Sequence, residues 1–333
     1  VVRFLSNLFQ HTRPPEGPIL LRPAFRAELQ ECVRLVLSTP ARRADDAHVF
    51  AFIESARARK FDLAALTVAE QGGTIVWAAL PLSFPGRTAM VLSAPVTPVQ
   101  FPAAEMVLRH VIAEHDRLGT RLVQALLDPA DSPARGFYEA CGFHRLAELI
   151  YLEAKARELE VALPPGFELA SYSEALHDDF AAAVNASYEA TLDCPGLEGV
   201  RATEEVIAGH KAAGAFCPDY WFLLREGGAP VGVLLLAPMP PSDAMEIVYI
   251  GLAVRARRRG VADPLMRLAF TTARRAGCHR LTTAVDARNT PAMRMYLRQG
   301  MERINSREAM LRILHPYAPK HPPVIPSGAV GRG

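Results

Sequence analysis

The stretch "DARNTPAMRMYLRQGM", Asp286 to Met301, has a counterpart earlier in the chain, "DPADSPARGFYEACGF", Asp128 to Phe143. The two align without a gap and pair Asp128 with Asp286, Pro133 with Pro291, Ala134 with Ala292, Tyr138 with Tyr296 and Gly142 with Gly300. The same spacing, 158 residues from Asp128 to Asp286, also pairs Gly119 with Gly277. So dense a match at one fixed spacing indicates two copies of one unit.

Each copy predicts the same order of elements. In the second, "DYWFLLREGGAPVGVLLLAP" from Asp219 is two strands joined by a Gly-Gly turn, and "AMEIVYIGLAV" from Ala244 is a third, β-prone strand. "DPLMRLAFTTARRAG" from Asp263 carries apolar residues at helical spacing, with Gly277 as its stop. "RLTTAVD" from Arg280 is a strand, and a short helix follows with Thr290 as its N-cap and Pro291 at its first position. The first copy repeats this with a hairpin over 63–82, a strand over 88–96, a helix over 102–119, a strand over 121–127 and a helix over 132–142. The chain is therefore expected to be α/β with two tandem domains. "ELEVALPPG", Glu158 to Gly166, supplies the break between a first domain at 1–157 and a second at 158–315; the Pro- and Gly-rich 316–333 is expected to be a mobile tail.

Composition narrows the function. Lys+Arg 37 against Asp+Glu 35 leaves a net charge of +2, which argues against a dedicated nucleic-acid binder. The longest apolar runs fall far short of the roughly 20 residues a membrane span needs, and the first residues lack a signal-peptide pattern. Five widely spaced cysteines without a C-x-x-C pair suit reduced thiols and a cytoplasmic protein. The ten histidines show no ligand spacing, so no metal site is expected.

Charge is concentrated instead in "LAVRARRRGVADPLMRLAF", Leu252 to Phe270, where a strand passes into a helix. A glycine just before a helix start presents free backbone N–H groups, an anion cradle to which neighbouring arginines add charge. Arg257, Arg258, Arg259, Gly260, Val261 and Ala262 fill in order the acetyl-CoA signature Gln/Arg-x-x-Gly-x-Gly/Ala, with Asn289 and Tyr296 downstream. In these residues the chain resembles the GNAT superfamily of N-acetyltransferases, from Gly166 to about Leu314 and more weakly in the first copy. Its tandem layout with one working site is similar to that of the mycothiol synthases.

The resemblance implies two GNAT-like acyl-CoA N-acyltransferase domains, each a mixed, mostly antiparallel central sheet flanked by helices. It implies acetyl-CoA as donor, bound by Leu252, Ala253, Val254, the 257–262 loop and Asn289, and a small-molecule or peptide amine as acceptor. Tyr296 would protonate the departing thiolate. Glu246 would be the general base, for which alternation places Glu246, Val248 and Ile250 on one apolar face that should raise the carboxyl pKa. Asp263 and Pro264 depart from the family pattern, adding a carboxylate and removing a backbone donor near the expected pyrophosphate. The acceptor pocket is expected along Ala182–Arg201, with Tyr188, Asp193, Cys194 and Arg201 as polar candidates. In the first copy Val99, Pro102 and Thr88 stand where Arg257, Gly260 and Glu246 stand in the second, so that copy is expected to be degenerate. The rival reading is a non-catalytic CoA-binding or scaffold protein with a decayed site.

Overall fold

The computed structural model describes residues 3–4, 16–240 and 242–317; most of the expected tail lies outside them. The first half runs β1 (Arg3–Phe4), β2 (Ile19–Pro23), α1 (Leu29–Leu37), α2 (Asp46–Ala58), β3 (Thr67–Gln71), β4 (Thr74–Phe84), β5 (Thr88–Ser93), α3 (Phe101–Arg117), β6 (Leu122–Leu127), α4 (Ser132–Ala140) and β7 (His144–Lys155). From β2 on, the second half repeats the order: β8 (Phe167–Ser171), α5 (His177–Tyr188), α6 (Thr203–Lys211), β9 (Trp221–Glu226), β10 (Ala229–Pro238), β11 (Ala244–Leu252), α7 (Ala262–Arg275), β12 (Arg280–Asp286), α8 (Thr290–Arg298) and β13 (Glu302–Ile313). Among the described residues no helix is long and apolar enough to cross a membrane.

All the strands form one mixed sheet, ordered β2-β3-β4-β5-β6-β13-β7-β12-β11-β10-β9-β8, with β1 beside β4. Along this path pairing is antiparallel except at β5/β6 and β11/β12, where α3 and α7 supply the crossover that a parallel pair requires. The closing strands are exchanged between the halves. β7 ends the first half in sequence yet pairs with β12, and β13 ends the second yet pairs with β6. The two exchanged strands also pair with each other. Glu308, buried in the middle of β13, accepts hydrogen bonds from the first-half Arg135 and from Arg145 Nε at 2.9 Å, which fixes the exchange electrostatically.

One face of the second half's sheet is covered by α7 and α8, the other by α5 and α6. Leu265, Met266, Ala269, Phe270 and Ala273 recur at helical spacing and pack on Met245, Ile247 and Leu281, while Arg267, Arg274 and Arg275 stay outside this core. Each such Leu or Phe contributes roughly 1.5–3 kcal/mol when fully buried. On the other face Phe180, Val184 and Ile207 pack on Trp221, Val233 and Leu235. Helix α6 also meets the first half. Gly86, at φ 82° in the β4–β5 turn, lies so close to the Glu205 carbonyl that a Cβ would collide with it, and Arg121 Nε donates to Glu205 Oε1 at 2.7 Å.

One local expectation needs correction. The cap of α8 is Asn289 rather than Thr290: Asn289 Oδ1 accepts the Ala292 N–H at 3.3 Å, and Thr290 already lies in the helix. The 158–166 connection packs on the second half. Leu159 N–H donates to Thr271 Oγ1 at 3.0 Å, Leu159 and Leu163 pack on the second-half core, and Pro164 comes within 3.9 Å of where a Cβ on Gly260 would stand.

Candidate active site

Simple alternation fails in β11. Opposite β10, Leu235 pairs with Tyr249 and Leu236 with Ile247, so Val248 is an extra, unpaired residue. This bulge resets the faces. Met245, Ile247, Ile250 and Leu252 pack toward α7, whereas Val248 and Tyr249 pack toward α5 and α6. Glu246 alternates with Met245 and Ile247, and so shares the α5/α6 side with Tyr249 but not with Ile250. Of the expected grouping of Glu246, Val248 and Ile250, the first two keep a common side and Ile250 leaves it.

Beyond Glu246 and its partner Thr282, β11 and β12 part. Thr283 Oγ1 donates to the Ile247 carbonyl at 3.3 Å near the vertex, and a cleft of about 300 Å³ opens above it. Ala253 N–H donates to Val231 O at 2.8 Å, so alternation turns the N–H groups of Leu252 and Ile250 away from β10 toward this opening. Val254 leaves the strand in a 3-10 turn. Of the residues singled out from the sequence, Leu252, Arg257, Ala262, Asn289, Asp193 and Tyr296 line the cleft. Glu246, Tyr188, Cys194 and Arg201 do not.

The arginines divide by role. Arg257 turns inward: Nε donates to Leu252 O at 3.0 Å, and Nη2 to Ser187 O and Glu189 O at 2.9 and 2.7 Å. It thus satisfies carbonyls at the end of α5 and ties that helix to β11. Arg258 and Arg259 are exposed, with Arg259 paired to Glu226 and lying over the Phe167 ring. Arg258 at φ 61° and Gly260 at φ 76° turn the chain into α7, whose N-cap Val261 provides no side-chain hydrogen bond. The first-turn N–H groups of Val261, Ala262 and Asp263 therefore point out of an uncapped helix end. The Asp263 carboxylate is turned away, toward α8, where it accepts from Gln299 Nε2 at 3.2 Å with Arg298 at 3.6 Å.

Tyr296, 3% exposed, sits on the α7/α8 side with its ring in the cleft wall. Burial raises its phenol above the ordinary tyrosine range against an opposing contribution from Thr283, so it stays protonated at neutral pH. Asp193, beside Asn289, accepts the Asp286 N–H at 3.0 Å, and Asp286 in turn accepts Cys194 N–H at 3.2 Å and Arg288 Nη2 at 2.7 Å. This clasp holds the 191–195 loop on the end of β12. Burial pushes the Cys194 thiol up to about 12, where it is no nucleophile. Burial likewise raises the Glu246 carboxyl, with Arg59 of the first half acting against the shift; Tyr151 on β7 feels the same carboxylate.

The first-half counterpart differs where it matters. β5 pairs with β4 without a bulge, and the smaller opening, about 200 Å³, has Ser93 and Tyr138 hydrogen-bonded at 2.9 Å across it. Gln100 occupies the loop equivalent to Arg258, where its Oε1 accepts the Thr97 N–H at 3.1 Å, while Pro98 and Pro102 carry no N–H. No cradle is left.

Residues 188–301 match the family model for the acetyltransferase (GNAT) family. This segment is a GNAT domain. Over the whole chain, a GCN5-related N-acetyltransferase from Sphaerobacter thermophilus is similar at 18% identity and TM-score 0.64, covering 90% of this chain and 96% of that one. A fungal GCN5-related glucosamine N-acetyltransferase region of a multi-domain β-N-acetylglucosaminidase aligns at 12% identity and TM-score 0.58, covering 89% of this chain and 38% of the other. At these identities the likeness is one of fold. No curated protein matches the sequence. The matched segment contains the bulged β11, the uncapped α7 and Tyr296, and the GNAT family's chemistry is acyl transfer from acyl-CoA to an amine.

The sequence reading overlooked Tyr249 and Thr283. Tyr249 was hidden because only the bulge brings it beside Glu246's face; Thr283 is legible as an alternate residue of β12 once the parting of the strands is known.

Proposed function

We propose that the chain transfers an acetyl group from acetyl-CoA to a primary amine of a small molecule or peptide, at one site in the second half. The two repeats divide at the 158–166 connection, and the first half performs no chemistry. The observation that carries this reading is the bulged strand, which the first-half β5 lacks, meeting an uncapped helix end and a buried tyrosine around one cleft.

Acetyl-CoA fits these residues. Its pyrophosphate would meet the N–H groups at the start of α7, with Arg258 and Arg259 adding charge and Gly260 leaving the backbone open to approach. The outward N–H groups of Leu252 and Ile250 would take the pantetheine arm by strand-like pairing. Glu246, its carboxyl raised above the ordinary carboxylate range by burial, accepts the proton that the attacking amine must lose, directly or through water. Tyr296 donates its phenolic proton to the sulfur as the thioester breaks. Asn289 and Asp193 hold the α8 end of the cleft in place.

Calorimetry with acetyl-CoA tests the assignment. One site per chain is expected, and Gly260→Asp, which puts a side chain and a negative charge at φ 76°, should weaken it at least about tenfold. Two equivalent sites, or unchanged binding in Gly260→Asp, would refute it.

A further inference from the structure

Between the halves, on the α5/α6 side of the sheet, lies a second cavity of about 530 Å³. Helix α2 and strands β4 to β6 of the first half form one wall, with Phe52, Phe84 and Met90 as its apolar surface; α6 and Arg201 form the other. It adjoins the active-site candidates at two points. His210, in its wall, stacks on Tyr249 of the cleft with ring centroids 5.1 Å apart, and Arg59, also in its wall, acts on Glu246.

Two nitrogens of this cavity's residues are buried without a protein partner among the described residues: Arg201 Nε and His210 Nε2. Arg201 is the more telling. Its ionisable neighbours are Tyr188 and Glu205, but Glu205 is already taken by Arg121 Nε, by Arg87 at 3.7 Å and by the Ala202 N–H at 3.1 Å. Arg201 is only partly exposed, and a guanidinium whose Nε is buried without a hydrogen bond is costly unless an anion meets it. Burial also drives His210 down to about 3, leaving a neutral imidazole that an O–H or N–H can use. These groups serve no step of the acetyl transfer derived above.

We infer that this cavity between the halves binds the acceptor, and that the acceptor is an amine carrying an anionic group on an apolar skeleton, with the anion on Arg201 and the amine toward Glu246. The inference rests on the acetyltransferase reading for the amine, but not for the anion. It also gives the first half a role: its Phe52, Phe84 and Met90 supply the apolar wall.

The test uses the full chain and paired amines: L-phenylalanine against phenethylamine, L-leucine against isopentylamine, and phosphoethanolamine against ethanolamine, so that carboxylate and phosphate are distinguished. The anionic member of at least one pair should have kcat/KM at least about tenfold higher, and R201Q should bring that ratio near unity. Thermal shift without acetyl-CoA tests the cavity independently. The favoured anionic amine should stabilise the wild type but not R201M, and R201M alone should melt higher than wild type, because it removes the unpaired charge. Absence of anion preference, a preference that survives R201Q, or an R201M that melts lower would overturn the inference. Failure of acetyl-CoA to bind would instead overturn the acetyltransferase reading, leaving the anion-dependent shifts to be judged alone.

Discussion

Replacing Tyr296 and Tyr138 by phenylalanine separates a catalytic phenol from a packing one, because the two sit at equivalent positions of the repeat. Tyr138 is 1% exposed and its hydroxyl bonds Ser93 at 2.9 Å; Tyr296 is 3% exposed with its hydroxyl against Thr283. Each replacement strands one buried hydroxyl, a loss of about 1 kcal/mol, which for a chain of this size lowers Tm by about 2 °C. Stability therefore cannot distinguish them. A positioned acid is worth about 10²–10⁴ in rate, or roughly 3–5.5 kcal/mol in the barrier, well beyond the ~1 kcal/mol of a lost structural hydrogen bond. Single-turnover acetyl transfer at saturating acetyl-CoA should fall about 10²-fold or more in Tyr296→Phe and less than about tenfold in Tyr138→Phe. Because burial raises the Tyr296 phenol, wild-type turnover should show no alkaline loss from it below the ordinary tyrosine range. Equal rate losses in the two variants would refute the acid role.

Glu246→Gln should lower kcat by about 10²–10⁴ with little change in the KM for acetyl-CoA, and should abolish an acidic limb whose midpoint lies above the ordinary carboxylate range. The same shift predicts a stability effect. A carboxyl with a raised folded pKa contributes stability that is present below its unfolded pKa and lost as pH rises through the folded value, so Glu246→Gln should gain Tm at neutral pH and not at low pH. His210 acts in the opposite sense. With its folded pKa lowered to about 3, it contributes stability above about pH 6.5 that is lost as pH falls toward 3, and His210→Phe should flatten that slope in pH-resolved thermal melts. Residues 158–317 produced alone should not behave as a monomer in light scattering, because β12 then lacks β7 and β13 lacks β6, and co-production with residues 16–157 should restore a well-behaved species.

Much of this was legible in residue order because it is local. The repeat fixed two copies, hydrophobic spacing found α7 and the hairpins, and the Arg257–Ala262 loop stands where a strand feeds a helix end. What escaped depends on contacts distant in sequence. The bulge at Val248 exists only relative to β10, and it moves Tyr249 onto the side that simple alternation gave to Ile250. Arg257 reads as an anion ligand until the end of α5 is seen to present it with the carbonyls of Ser187 and Glu189. Asp263 reads either as a carboxylate near the expected pyrophosphate or as a partner for a cap or an arginine, and only α8 shows which, by bringing Gln299 and Arg298 to it. The exchange of β7 and β13 has no local signature, since each strand looks like the end of its own copy.

That exchange explains why a copy without a cradle can remain integral to the molecule. The features missing from the first half belong to a loop: Gln100 and the prolines replace N–H donors near the surface, and the pairing of β5 with β4 is, if anything, more regular for lacking a bulge. Changes there leave the sheet intact. The first half's remaining contributions are of another kind. β7 supplies the neighbour of β12 along Arg280–Asp286, the strand whose parting from β11 opens the cleft, and the turn at Gly86 seats α6, the helix that carries His210. A substitution in β7 or at Gly86 therefore bears on the geometry of the second-half cleft. In this architecture the two copies diverge in what their loops can bind while staying bound to each other by what their strands must pair.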